Sequence, residues 1–250
     1  MNSKVLTEIK KRLAKKKHLY WVLLDPDDFS LKDAAALAKE SEKYGADAIL
    51  VGGSLLYSNH FDKFVQSLKK AVSIPVILFP GDSSQLSAYA DALLYLSLVS
   101  GRNPSNLIGE HVKAAPIIKQ TDIEPIATAY MLVESGSVSS VEFMSNTRPL
   151  PRNKPELAAA HALAAQYMGM SLVYLEAGSG ALHSVPSEMI AMVRKWVDIP
   201  IICGGGIRDA ASAKEKIDAG ADIIVTGNVL QKEDGITIMK EIAAVVNGKI

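Results

Sequence analysis

The feature that most narrows the possible folds is a regular alternation. Eight short apolar runs, at residues 20–24, 48–51, 76–79, 92–96, 125–133, 172–175, 201–203 and 223–225, are separated by stretches of helical periodicity at 31–44, 61–72, 105–120, 154–168, 186–197, 210–219 and 235–246. Parallel strands cannot be joined by a tight hairpin, and they bury both faces. Continuous apolar runs linked by crossovers therefore read as a parallel sheet covered by helices. Eight such units in 250 residues predict an α/β fold, a closed (β/α)8 TIM barrel, with 1–250 as a single domain. The third crossover stands out, because residues 81–89 are too few and too polar for a full helix; the third helix is expected to be shortened or replaced. An open doubly wound sheet is the competing arrangement, but the first strand is not followed by the GxGxxG turn of that fold. Two near-identical segments, KYGADAILVGG at 43–53 and DAGADIIVTGN at 218–228, each read as helix end, glycine cap and buried strand ending in glycine.

Composition sets the bounds on partners. Lys+Arg and Asp+Glu are equal at 27 each, so no overall field draws the chain to nucleic acid or to an anionic membrane. The lone Cys203 excludes an internal disulfide framework and suits a reducing compartment. The first 21 residues are too charged for a secretory signal, and no apolar stretch approaches the roughly 20 residues that span a bilayer. A soluble, cytoplasmic protein is expected. Residues 4–17 form an amphipathic pattern with Val5, Leu6, Ile9 and Leu13 on one stripe. It is read as a helix closing one end of the domain, with membrane-surface contact through its lysines as the alternative.

In a barrel of this kind the working face lies beyond the carboxyl ends of the strands. The first strand delivers Asp25, either for chemistry or to stabilise its turn, while Asp27, Asp28 and Ser30 are placed to cap the helix from residue 31. The second delivers Gly52, Gly53 and Ser54. Carboxylate and hydroxyl oxygens from adjacent strands are hard donors that suit Mg²⁺, an ion that takes few protein ligands and keeps waters and substrate phosphates. The five histidines show no ligand spacing, and Cys203 sits inside a buried run. The sixth strand, SLVYLEAGSGAL at 171–182, presents Tyr174 and Glu176 on one face and ends in Gly178-Ser179-Gly180, a turn that can bring N–H groups against an anion. The seventh ends in Gly204-Gly205-Gly206 before Arg208, and the eighth in Gly227-Asn228; glycine-rich ends on these two strands form the usual phosphate grip of such barrels. Arg208 is either part of that grip or of a rim ion pair. No lysine ends a strand and no Ser-His-acid set is apparent, which argues against a Schiff-base lyase or an acyl-transfer enzyme. Two phosphorylated substrates are expected, one gripped at strands six to eight and one near strands one and two. Residues 145–154, with three basic side chains, read either as a flap over the second substrate or as a rigid proline-braced loop.

At these residues the chain resembles the geranylgeranylglyceryl phosphate synthase family, which includes bacterial heptaprenylglyceryl phosphate synthases. The likeness rests on LLDPDD at 23–28, VGGS at 51–54, PVILFPG at 75–81, SGRNPSNLIGEH at 100–111, YLEAGSGA at 174–181, CGGGIR at 203–208 and TGN at 226–228. The resemblance implies a barrel with the third helix lost or replaced, and ether formation between the 3-hydroxyl of sn-glycerol 1-phosphate and a polyprenyl diphosphate, with geranylgeranyl diphosphate the expected donor. It implies that Asp25 and Ser54 hold Mg²⁺. It also implies that Tyr174, Leu175, Glu176, Ala177, Gly178, Ser179, Gly180, Gly205, Gly206, Gly227 and Asn228 hold the glycerol phosphate. Glu176 would accept the hydroxyl proton, Tyr174 would position the glycerol, and the Asp25-bound ion would neutralise the leaving diphosphate. The isoprenoid would lie in an apolar trough near the shortened third unit. A homo-oligomer, dimer or hexamer, and peripheral membrane contact for the lipid product are further expectations of the resemblance. One departure is Asp28, where relatives often carry Lys or Arg. The rival readings are a phosphosugar isomerase or lyase barrel, sharing the grip without metal or trough, and a non-catalytic phosphate-metabolite sensor.

Overall fold

The computed structural model describes residues 3–249; Met1, Asn2 and Ile250, the ends of the expected domain, lie outside the described residues. Eight parallel strands close into a barrel in sequence order: β1 (Leu19–Leu24), β2 (Ala48–Val51), β3 (Val76–Leu78), β4 (Ala92–Leu98), β5 (Glu124–Leu132), β6 (Leu172–Glu176), β7 (Ile201–Gly204) and β8 (Ile223–Thr226). The helices are α1 (Lys4–Lys16), α2 (Leu31–Tyr44), α3 (Phe61–Ala71), α4 (Glu110–Lys119), α5 (Ser140–Ser145), α6 (Pro155–Tyr167), α7 (Ser187–Trp196), α8 (Ala210–Asp218) and α9 (Gly235–Val246). No helix joins β3 to β4, as expected from the short polar segment there. A wide π-type turn, Ser105–Gly109, opens into α4.

The strand alternation sorts the core into two layers. Leu19, Trp21, Leu50, Leu94, Leu172, Tyr174, Ile202 and Val225 point into the lumen. Val22, Ile49, Val173, Leu175 and Cys203 face outward under the helices, packed among Phe64, Ala162 and Ile242. Both layers exclude water, which explains why the strands read as unbroken apolar runs. The repeated glycine caps behave alike: Gly45 and Gly220 both take the left-handed conformation, with φ of 104° and 112°.

The amphipathic N-terminal helix closes the floor of the barrel. Ile9 is buried in the lumen cluster and Val5, Leu6 and Leu13 pack against it. Glu124 at the start of β5 accepts the Val5 and Leu6 amides at 2.6 and 3.1 Å, supplying the missing N-terminal partners. Arg12 and Lys16 both reach the buried Asp47, at 3.2 and 2.7 Å, so part of the helix's basic face is spent on the barrel itself. No described helix is long and apolar enough to cross a membrane.

Residues 145–154 form a brace. Leu150 pairs with Val133 beside β5, with Leu150 N–H donating to Leu132 O at 2.8 Å and Glu134 N–H to Leu150 O at 2.9 Å. Arg152 donates to Glu134 O at 2.9 Å. None of Arg148, Arg152 and Lys154 lines the central cavity.

Candidate active site

The carboxyl ends of the strands open into one cavity of about 990 Å³. It is lined by Asp25, Gly53 and Ser54 from the β1 and β2 ends, Tyr174, Glu176, Ser179 and Gly180 from β6, Gly205 and Gly206 from β7, and Gly227 and Asn228 from β8. Nearly all the residues singled out in the sequence therefore meet in one space. Leu175, Ala177 and Gly178 do not line it. The strand pleat turns Leu175 into the outer core layer, the Ala177 N–H is spent on Gly204 O at 3.3 Å, and the Gly178 N–H on Glu176. The amides of Ser179, Gly180, Gly205 and Gly206 make no hydrogen bond with the described residues, leaving them for an anion.

Glu176 is closely held. It is only 6% exposed, and its Oε1 accepts the Gly178 N–H at 2.7 Å. The backbone packs so closely that a Cβ on Gly205 would lie against that same Oε1 and 2.8 Å from the Gly178 nitrogen. Gly205 also has a φ of +77°, so a side chain is excluded twice over. Burial raises the Glu176 carboxyl to about 7, with the Gly178 amide opposing the rise. Tyr174 is fully buried and its hydroxyl has no hydrogen-bond partner; burial, then the Glu176 charge, holds the phenol well above its usual range. Phe79 stacks on the Tyr174 ring at 5.2 Å, and Tyr130 meets it edge-on at 5.5 Å. The ring is clamped, and Tyr174 lines the cavity with its hydroxyl buried.

At the other end, Asp25 stabilises its turn and also faces the cavity. Its Oδ1 accepts the Asp27 N–H at 3.0 Å, holding the turn, while the carboxylate lies against the Gly53 backbone and faces the cavity. Burial raises it to about 6, and the charges of Asp28 and Asp27 push the same way, the condition of a carboxylate that gains by taking a cation. Among the described residues no group of three His, Cys, Asp or Glu could cage a metal. A two-oxygen set of Asp25 and Ser54 fits an ion that keeps waters and substrate phosphates.

Asp27 and Asp28 do not cap the following helix. Ser30 alone does, its Oγ accepting the Asp33 N–H at 3.2 Å. Asp27 instead takes the Tyr57 and Ser58 amides at 2.7 and 2.8 Å, and Asp28 takes Gln231 Nε2 at 2.6 Å. Arg208 makes no ion pair among the described residues; it donates to Ala181 O at 2.7 Å, bracing the loop that carries the glycine turn. Phe79, inside the PVILFPG motif, also lines the cavity, as do Lys232 and Tyr130; sequence reading missed the last two, because Lys232 follows the eighth strand end by six residues and Tyr130 sits inside an apolar run. Leu86, Leu93, Tyr95 and Ala114 make an apolar wall beside the helix-less crossover.

The model of the PcrB family matches residues 11–248. The chain belongs to the PcrB family. This PcrB-family chain is 45% identical to the geranylgeranylglyceryl phosphate synthase of Chitinophaga pinensis, covering 99% of this chain and 97% of that one. It is 49% identical to the enzyme of the same name from Thermococcus gammatolerans, over 89% of this chain and 88% of that one. Among solved structures it matches the Thermoplasma acidophilum (S)-3-O-geranylgeranylglyceryl phosphate synthase bound to sn-glycerol-1-phosphate, with a TM-score of 0.92 at 34% identity and 98% of each chain covered. The Thermoplasma volcanium protein matches equally well. An archaeal fructose 1,6-bisphosphate aldolase, at 16% identity and a TM-score of 0.60, shares the barrel fold. The PcrB-family chain is thus an enzyme of the geranylgeranylglyceryl phosphate synthase type.

Proposed function

We propose that this enzyme joins the 3-hydroxyl of sn-glycerol 1-phosphate to C1 of a polyprenyl diphosphate, geranylgeranyl diphosphate being the expected donor, with Asp25 and Ser54 holding Mg²⁺. The observation that carries the reading is that Glu176 stands inside the same cavity as the glycine cradle and the Asp25–Ser54 turn. The amides of Ser179, Gly180, Gly205 and Gly206, with Gly227 and Asn228 opposite, take the phosphate monoester. Glu176 and the unpaired Tyr174 hydroxyl then face the glycerol hydroxyls. With a carboxyl raised to about 7, Glu176 is matched to accepting a hydroxyl proton near neutral pH. As the C1–O bond to diphosphate breaks, the glycerol oxygen bonds to C1, its proton passes to Glu176, and diphosphate departs. Magnesium, when bound, supplies positive charge to the departing diphosphate. The wall of Leu86, Leu93, Tyr95 and Ala114 keeps water from the isoprenoid and the allylic carbon.

The expectations of a homo-oligomer, a cytoplasmic location and transient contact with a membrane for product release belong to the same reading. The test is incubation of purified protein and Mg²⁺ with either enantiomer of glycerol phosphate and prenyl diphosphates of graded length. Ether-lipid product from the 1-phosphate alone supports the reading. A metal-independent isomerase or lyase activity on a phosphosugar would replace it.

A further inference from the structure

The crossover that lost its helix is not slack chain. Residues 79–85 wrap the Gly52-Gly53-Ser54 turn so tightly that glycine is needed on both sides. A Cβ on Gly81 would fall 2.5 Å from Gly53 O and 3.0 Å from Ser54 O, and one on Gly52 would strike Phe79 O. At the end of this strap stands Gln85, with 0% exposure. Its Nε2 donates to Gly53 O at 2.8 Å, and its Oε1 accepts the Gly53 N–H at 3.3 Å. One side chain thus satisfies both backbone polar groups of a single residue, as a neighbouring strand would. Gly53 in turn is the surface on which the Asp25 carboxylate rests, and it immediately precedes Ser54.

We propose that Gln85 is the positioning residue of the metal turn, fixing Ser54 and Asp25 in the relative placement that accepts a divalent cation. The inference rests on the magnesium reading above. The physical need is plain: Ser54 hangs on two consecutive glycines, the residues with the most backbone freedom to lose, and two-ligand sites depend on outer contacts to hold their geometry. Without Gln85, the Gly53 N–H and C=O are left unpaired in a half-buried setting, at a cost the turn can relieve by moving toward water. Such a movement carries Ser54 away from Asp25. The glycine cradle of β6 to β8 lies across the barrel and shares no hydrogen bond with Gln85, so the two halves of the site should respond separately.

The test uses the full chain without substrates. Mn²⁺ is titrated by electron paramagnetic resonance into wild type, Gln85→Met and, as a reference for a lost ligand, Asp25→Asn. sn-Glycerol 1-phosphate is titrated calorimetrically in metal-free buffer. Gln85→Met is expected to weaken Mn²⁺ by roughly tenfold or more, the scale of losing an outer contact, with glycerol phosphate affinity unchanged within about twofold and turnover recovered by excess Mg²⁺. Gln85→Asn, one methylene short of reaching Gly53, should do the same and decides the matter if Gln85→Met does not fold. Unchanged Mn²⁺ affinity in a folded variant overturns the proposal. Equal loss of both ligands also overturns it, since Gln85 would then be only a packing residue. Wild type that binds glycerol phosphate but no Mn²⁺ removes the metal reading itself.

Discussion

Glu176 Oε1 accepts the Gly178 N–H at 2.7 Å, so the residue proposed to take the proton is fixed by the turn proposed to begin the phosphate cradle. Carboxylate and glycine turn are built as one unit, and Gly205 closes over both. Glu176→Gln keeps the acceptor for Gly178 and removes only the ability to take a proton. The expected result is a fall in kcat of about 10²–10⁴ with the KM for glycerol phosphate little changed. The wild-type rate should rise through about pH 7 as Glu176 deprotonates, and steady-state pH profiles should show that limb missing in the variant.

The same burial should be visible in stability. The folded-state carboxyl lies at about 7 against 4.5 in the free group, so between those values the native state binds the extra proton and wild type loses stability as pH rises. Glu176→Gln escapes that loss. Calorimetry should find the variant more stable at pH 8, with the advantage shrinking toward zero as pH falls below about 5.

Asp25→Ala removes the carboxylate that lies against Gly53. Mg²⁺-dependent turnover should disappear while glycerol 1-phosphate still binds, as calorimetry would show. In wild type, burial and two neighbouring carboxylates raise Asp25 to about 6. Mn²⁺ binding should therefore weaken as pH falls through that value, because protonated Asp25 must give up its proton to the ion.

Tyr174 offers a hydroxyl that the protein itself leaves unpaired. Tyr174→Phe forfeits no internal hydrogen bond, and its ring keeps the Phe79 and Tyr130 contacts. Thermal stability should be unchanged or higher. The KM for glycerol phosphate should rise by about tenfold, the scale of one lost hydrogen bond; an unchanged KM would place the hydroxyl outside the substrate contacts.

The strand ends were legible because each couples two signals, an unbroken apolar run and the glycine or acid that stops it. That pattern brought out Asp25, Ser54, Glu176 and the three glycine turns, and the missing third helix showed as a segment too short and polar to span. What escaped were contacts made by single side chains to distant backbone. Gln85 lies in a stretch with no periodicity, and its role depends on Gly53, thirty-two residues away in sequence. Asp27 and Asp28 looked like helix caps because they precede α2, but loops from β2 and β8 compete for their oxygens. The short α5 was hidden in a serine-rich segment, where Ser139 caps it by accepting the Glu142 amide at 3.3 Å.

The proposed reaction depends most directly on the placement of two substrates around Glu176. The deciding measurement is a crystal structure with sn-glycerol 1-phosphate, Mg²⁺ and an unreactive thio analogue of geranylgeranyl diphosphate. The glycerol 3-hydroxyl is expected within about 3.5 Å of C1, hydrogen-bonded to Glu176, with the diphosphate at Asp25 and the tail along Leu93 and Tyr95. A diphosphate seated away from Asp25, or a glycerol hydroxyl that cannot reach C1 with both ligands bound, would contradict it.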